Sequence, residues 1–145
     1  MSQNDLDLIK GKMIADYAKE KIKMGIWSEV DALDLAKETF ITMLKKGVDT
    51  DNQYLYNLND EKGENIAFVW LGKAGAEVFV YNLSFYQAEN RNQYEKEFLN
   101  LIEEKVKELG GNKISYHMFG YQKEAIEILE NNGYIVTDVT LSKKI

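Results

Sequence analysis

At Asn52 the spacing of apolar residues switches from about 3.6 to two, and the switch divides the chain into parts that must fold differently. Upstream, residues 5–24 (DLDLIKGKMIADYAKEKIKM) place Leu6, Ile9, Met13, Tyr17 and Ile22 at mostly helical spacing, with Gly11 a weak point. Gly25 is a helix stop. Trp27-Ser28-Glu29-Val30-Asp31 reads as the next start, with Ser28 as cap and an acidic first turn that suits the helix dipole. Ala32, Leu35, Ala36, Phe40, Met43 and Leu44 share one face of that helix, and Lys45-Lys46-Gly47 end it. Downstream, Tyr54–Leu58, Asn65–Leu71 and Glu77–Phe85 read as strands, separated by turns at Asn59–Gly63 and Gly72–Gly75. Strands joined this closely form an antiparallel meander. The third is apolar on both faces, which places it in the middle of a sheet.

The helical period then returns. Tyr94, Phe98, Leu101, Ile102, Val106 and Leu109 form a buried stripe that Gly110-Gly111 terminates. Lys113–Phe119 is expected as a strand and Gln122–Asn131 as a helix closed by Asn132-Gly133. Tyr134–Val136 and Val139–Leu141 are expected as terminal strands. The order ααβββαβαββ predicts an α+β (mixed α/β) fold: a mixed, mostly antiparallel sheet flanked by helices. There is no proline, hence no proline-rich linker, and no repeat, so residues 1–145 read as a single domain.

Composition narrows the chemistry. A chain of 145 residues buries roughly 68–70% of the surface it exposes when unfolded, enough for a real core. The 24 acidic residues against 18 lysines and arginines give a net charge of −6, which argues against a nucleic-acid partner and is otherwise an ordinary solubility charge. No apolar run is long enough for a transmembrane helix, and the first residues, MSQNDLDLIKGKM, lack a signal-peptide core. No membrane association is expected, and a cytoplasmic location follows by default. The absence of cysteine excludes disulfides, thiolate metal sites and a cysteine nucleophile. His117 is the single histidine, so no histidine pair can hold a metal, and Asp49, Asp51 and Asp60 read as turn residues. No metal is expected. No Walker loop, dinucleotide fingerprint or Gly-x-Ser-x-Gly elbow occurs.

Several fragments, in this order and at these spacings, carry a family resemblance: Tyr17-Ala18-Lys19-Glu20-Lys21, Trp27-Ser28-Glu29, Gly47-Val48-Asp49-Thr50, Leu99–Gly110, Ile114–Gly120 and Asn132-Gly133-Tyr134. With the strand–turn–helix layout of residues 76–95 (AEVFVYNLSFYQAENRNQYE), they resemble a bacterial subgroup of the Gcn5-related N-acetyltransferase (GNAT) family over roughly residues 13–145. The resemblance implies a GNAT-like sheet whose first strand is short or missing, acetyl-CoA as co-substrate, a small amine as acceptor and a homodimer as a possible assembly.

It also assigns a cofactor region. The family carries a Gln/Arg-x-x-Gly-x-Gly/Ala phosphate loop at positions occupied here by Asn90, Arg91, Asn92, Gln93, Tyr94 and Glu95. Glycines there let the backbone approach a diphosphate, and amides at the following helix start point at it. Gln93 and Glu95 replace both glycines, Glu95 adds a carboxylate, and Arg91 is the local counterweight. The family's early Asn in the fourth helix is Gln122 here, and its usual tyrosine, a general acid toward the departing thiolate, is Leu129, which cannot donate a proton. Tyr121 and Tyr134 are the nearby candidates to replace it. The contact to the thioester carbonyl is expected from Asn82-Leu83-Ser84-Phe85 of the third strand. Asn82 also reads as an Asn bonded to neighbouring backbone, the more ordinary role for that residue in a strand. His117, near a strand end, is a candidate base or a surface histidine. Glu77 is a candidate water-linked base or a solvated strand-end carboxylate. Tyr54, Tyr56, Phe79, Tyr81, Phe85 and Tyr86 line a cleft or pack the core.

The functional reading is an acetyl-CoA-dependent N-acetyltransferase acting by direct transfer. The alternative is a catalytically impaired protein of the same fold that binds a ligand or a partner. Its motivation is the combined departure at Gln93, Glu95, Gln122 and Leu129.

Overall fold

Ser2 and Asp5 start the first helix by bonding to each other. The Asp5 amide donates to Ser2 Oγ (3.2 Å) and the Ser2 amide to the Asp5 carboxylate (2.8 Å), which satisfies two otherwise orphaned donors. Helix α1 (Gln3–Lys23) continues straight through Gly11. It ends at Gly25, whose φ of 66° lets the Gly25 amide reach the Ile22 carbonyl (2.8 Å) and the Ile26 amide reach that of Lys21 (2.9 Å). This computed structural model describes residues 1–145.

The second helix, α2 (Ala32–Met43), starts later than expected. Ser28 does bond the Asp31 amide (3.2 Å), but it also donates to the Asp31 carboxylate (2.7 Å). Asp31 becomes the capping residue with its own side chain already occupied. A short 3-10 turn, Gly47–Asp49, leads into the sheet.

Four strands follow in spatial order β1-β2-β3-β4: β1 (Gln53–Asn59), β2 (Asn65–Ala74), β3 (Glu77–Phe85) and β4 (Lys113–Tyr116). The first two pairings are antiparallel and the third is parallel, joined by helix α3 (Ala88–Glu108). No strand precedes α1. Between β1 and β2 the Asp60 carboxylate accepts from the Lys62 and Glu64 amides, both at 2.9 Å, closing the expected turn.

Strand β2 is longer than its sequence implied. Gly72 and Lys73 were expected in a turn but pair with Phe79 and Val78, and the chain reverses at Gly75-Ala76. Gly72 is needed inside the strand because the Tyr81 ring lies over it. A Cβ there would meet the ring at 2.2 Å.

The sheet is covered on both faces. Leu55, Phe68 and Trp70 pack against Leu6 and Met13 of α1 and Phe40 of α2. Val69, Leu71, Val78 and Val80 pack against Phe98, Ile102 and Val106 of α3. Each such side chain contributes roughly 1.5–3 kcal/mol on burial.

The C-terminal part departs most from expectation. Strand β4 stops at Tyr116 rather than Phe119, and helix α4 (Lys123–Asn131) follows. The terminal strands expected at 134–136 and 139–141 do not form. Residues 135–145 make no backbone hydrogen bond, and Ile135, Val139 and Leu141 are exposed. Strand-forming side chains alone do not make a strand, because a strand needs an edge to pair with. No helix is long and apolar enough to cross a membrane.

Candidate functional site

Strands β3 and β4 run side by side only from Glu77↔Lys113 to Val80↔Tyr116. Beyond that point β3 continues to Phe85 while β4 has ended. At the same place β3 is irregular against its other neighbour. Trp70 opposes Asn82 and Leu71 opposes Val80, so Tyr81 is an extra residue bulged out of register. The irregularity lies one residue before the Asn82–Phe85 stretch. From Tyr81 onward, the edge of β3 that β4 had covered carries free backbone donors and acceptors.

Two helices frame this parting. On the α1 side, Asn82, Ser84 and Phe85 line a shallow hollow with Lys12, Met13 and Asp16. Ser84 Oγ donates to Asn82 Oδ1 (2.6 Å), and Lys12 pairs with Asp16. On the other side stands the start of α3. Its capping residue, Gln87, makes no side-chain bond to the helix, so the first-turn amides lack a side-chain acceptor. The Arg91 guanidinium lies 5.6 Å from the centre of the Phe85 ring. Burial pushes the Glu95 carboxyl up; Arg91 opposes this and Glu124 adds to it. A more open depression beside α2, lined by Trp27, Leu35, Thr39 and Met43, holds Glu38 as its single charged group. The strand parting carries the richer chemistry.

No protein-family model matches the chain. Two curated relatives do, both from Bacillus subtilis strain 168 and both uncharacterized N-acetyltransferases. YdgE is 24% identical across 100% of this chain and 95% of its own length. YycN is 29% identical across 89% of this chain and 85% of its own. The crystal structure of YycN superposes with a TM-score of 0.92, at 27% identity, over 100% of this chain and 95% of that one. The chain is similar in sequence and fold to these N-acetyltransferases. A protein described as a predicted acetyltransferase, solved with acetyl-CoA from Clostridium acetobutylicum, shares the fold at a TM-score of 0.61 and 15% identity, over 99% of this chain and 92% of that one.

Within this framework the residues singled out from sequence fall in separate places. Asn90, Arg91 and Gln93 were expected in a polar turn ahead of a helix carrying Tyr94 and Glu95, yet all five lie inside α3, which begins at Ala88. The stretch AENRNQYEKE holds no glycine or proline and several good helix formers, so the helix extends back to the strand. Its free amides are therefore those of the first turn. Gln93 is exposed, Glu95 is half-buried, and the Tyr94 ring stacks on Phe98 (5.7 Å). Asn82 and Ser84 face α1, whereas Leu83 and Phe85 pack toward α3.

Glu77 stands at the far end of β3 from the bulge. It accepts from Ser115 Oγ (2.6 Å) and pairs with Lys113 Nζ (3.0 Å); these bonds hold its carboxyl below the usual range, which suits a structural anion better than a base. His117 is exposed, its ring edge-on to Phe119 at 5.2 Å. Tyr121 donates to Glu20 of α1, a bond that pushes its phenol up to about 12. Gln122 Oε1 accepts from the Phe119 amide (2.7 Å) and so closes the turn before α4. Leu129 is buried. Tyr134 donates to Glu103 (3.0 Å), and burial together with that bond raises its phenol far above the ordinary range.

Sequence reasoning missed Tyr116 and Glu103. Tyr116 is the last β4 residue paired with β3, and its ring meets that of Tyr134 edge-on at 5.4 Å. Its hydroxyl is buried without a hydrogen-bond partner of good geometry, and burial, with Tyr134 close by, drives its phenol far up. The available signal was its alternation with Ile114, which puts a phenol on the α3 face of β4. No group of three or more metal-ligating side chains is gathered anywhere.

Proposed function

We propose that this chain is a GNAT-family enzyme that transfers an acetyl group from acetyl-CoA to a small amine. The observation that carries the reading is the parting of β3 from β4 at a bulged Tyr81. A thioester laid in that gap meets free strand amides, which suit the partial charge that grows on its carbonyl oxygen. The amine nitrogen attacks the carbonyl carbon. The C–N bond forms, the C–S bond breaks, the nitrogen loses a proton, and the thiolate gains one. Most of the acceleration comes from holding the two reactants together.

The first-turn amides of α3 and Arg91 fit a diphosphate. Arg91 offsets the Glu95 carboxylate beside it. In this reading the anion sits at the end of a helix rather than in a glycine loop. Asn82, Ser84 and Asp16 lie where an amine would enter, with polar oxygens that can accept from it. The Tyr116 phenol, which has no partner of good geometry and is held far above the ordinary thiol range near 8.5, serves a thiolate as a hydrogen-bond donor rather than as a full proton source, while the Tyr134 hydroxyl donates to Glu103. Acetyl-CoA being an intracellular metabolite, a cytoplasmic location is part of the proposal.

A second reading, a GNAT-fold binding module without turnover, is favoured by one observation. Leu129, at the usual tyrosine position, is buried. Calorimetry with acetyl-CoA and CoA, followed by thiol release across a panel of amines, separates the readings. The chain has no cysteine, so a disulfide reporter dye sees only CoA thiol. Binding with amine-dependent thiol release is expected. Binding without release would leave the module reading, and no binding at millimolar ligand would defeat the transferase.

A further inference from the structure

Gly25 turns the chain back on α1. The amides of Ile26 and Trp27 both reach the Lys21 carbonyl, at 2.9 and 3.3 Å, and so bring the Trp27 indole beside the last turns of the helix. It meets the Tyr17 ring edge-on, 5.4 Å between centres, and Tyr17 in turn leans on the buried Phe40 ring at 6.2 Å. A third ring arrives from far along the chain. Phe119, in the segment after β4, stacks on Tyr121, and the Tyr121 hydroxyl donates to Glu20 of α1.

These three rings, from the helix, the α1–α2 loop and the segment before α4, surround one cation. Lys21 Nζ lies 5.2 Å from the centre of the Tyr17 ring, 5.4 Å from that of Trp27 and 5.8 Å from that of Phe119. The six ion pairs of the chain all use other lysines. The fit is loose for a primary ammonium, which closes further on a ring when it is free to do so: Lys23 Nζ stands 3.5 Å from the centre of Tyr121. A methyl carbon rests about 3.5–4.0 Å from the atoms it touches, and its bond to nitrogen adds about 1.5 Å. A methylated nitrogen facing a ring therefore sits about 5–5.5 Å away. The distances around Lys21 match that figure rather than the one at Lys23.

We infer that Tyr17, Trp27 and Phe119 form a binding cage for a methylated ammonium group, and that Lys21 is the internal occupant such a ligand displaces. Ring faces attract a cation whether or not it can donate a hydrogen bond. Lys21 is half-buried on a flexible stem and can swing out to water. Glu20, held by Tyr121, places a carboxylate beside the cage, against which Lys23 is the opposing charge. A quaternary nitrogen has no lone pair and is not itself acetylated, so the site stands or falls independently of the transfer reading.

The test is ligand-observed NMR with tetramethylammonium as the probe, the full chain as the receptor, no acetyl-CoA, and sodium as the control cation. A tethered lysine that fills the cage about nine-tenths of the time weakens the ligand about tenfold. Lys21→Gln should therefore tighten tetramethylammonium binding about tenfold, and Trp27→Ala in the same background should abolish it. Equal affinity in the native chain and Lys21→Gln, binding unchanged by Trp27→Ala, or no saturable binding to Lys21→Gln at about 100 mM probe would overturn the proposal. Should Lys21→Gln lose its native circular dichroism, the native chain decides. Saturable binding that Phe119→Leu weakens supports the cage, and its absence or indifference to Phe119→Leu overturns it. Choline and a trimethyllysine peptide, titrated in parallel, tell a free small molecule from a modified side chain as the source of the group.

Discussion

Replacing Gly72 by alanine tests whether the bulge at Tyr81 is held by the ring that lies across β2. An alanine Cβ would come 2.2 Å from Tyr81 Cε2 and 3.0 Å from Cζ, so the ring must leave. Tyr81 is 46% exposed and can swing outward without unfolding its neighbours. What is lost is its packing on Trp70, 5.3 Å between ring centres, and on Phe79, at 6.2 Å. Aromatic pairs contribute about 0.5–1.5 kcal/mol each. Against this, alanine is favoured over glycine in a strand by roughly 0.5–1 kcal/mol. Gly72→Ala should therefore lower the unfolding free energy by about 1 kcal/mol in the native background. In a Tyr81→Ala background the ring is gone, and the same substitution should raise it by about 0.5 kcal/mol. The coupling, about 1.5 kcal/mol, exceeds a tenfold change in the unfolding equilibrium and is resolvable in a double-mutant cycle of urea titrations. Equal effects of Gly72→Ala in both backgrounds would refute the argument. If the bulge also positions the thioester, acetyl-CoA affinity falls with Gly72→Ala in the native background.

The remaining expectations concern the phenol cluster, the helix start and the far end of β3. Tyr116→Phe removes a buried hydroxyl without a partner and should not lower stability, whereas Tyr134→Phe loses the bond to Glu103 and should cost about 1 kcal/mol. Thermal and urea melts distinguish the two. Combining Gln93→Gly with Glu95→Gly places two glycines inside α3 and should cost about 2 kcal/mol of stability. The same variant should tighten CoA binding about tenfold if side-chain crowding and the Glu95 charge limit access, since tenfold is ~1.4 kcal/mol; unchanged affinity by calorimetry would mean they do not. Glu77 has a carboxyl held below the usual range by Ser115 and Lys113. Its contribution is full above the ordinary glutamate value near 4.3 and is lost as pH falls through the lowered one. Glu77→Gln should flatten the acid limb of the stability profile between those two values, and an unchanged limb would count against the ion pair.

The β1–β2–β3 meander was legible because its turns announce themselves: Asp60 makes its side-chain turn where Asn59–Gly63 predicted one. The stripe Phe98, Ile102 and Val106 likewise went into the core as its spacing required. What sequence could not show were relations between segments. Gly72 reads as a turn residue until the ring that covers it is known. The helical start at Ala88 was hidden by overlaying a loop on residues whose own propensities favour helix. The Val-Thr-rich tail looks like strand, but propensity carries no information about whether an edge is within reach. The strand parting is a backbone event at Tyr81, a residue whose type gives no hint of it. Leu129, by contrast, is an absence visible in sequence, and the structure adds that the position is buried.

Strand β2 is buried at every residue from Ile66 to Gly72. A strand with one wet face resists slipping by a single residue, because the slip would turn its apolar side chains to water. β2 has no such safeguard, since either register offers apolar groups to both layers. Its alignment must be set by local fits instead. These are the Asp60 turn at one end, the Trp70 Nε1 bond to Gln53 Oε1 (2.7 Å), and the one position where a ring demands glycine. Proofreading of the sheet during folding thus falls to a few small features, and a slipped meander would be a compact, dry and kinetically persistent mistake. Variants at Gly72 or Gln53 should refold with a slow phase that the native chain lacks.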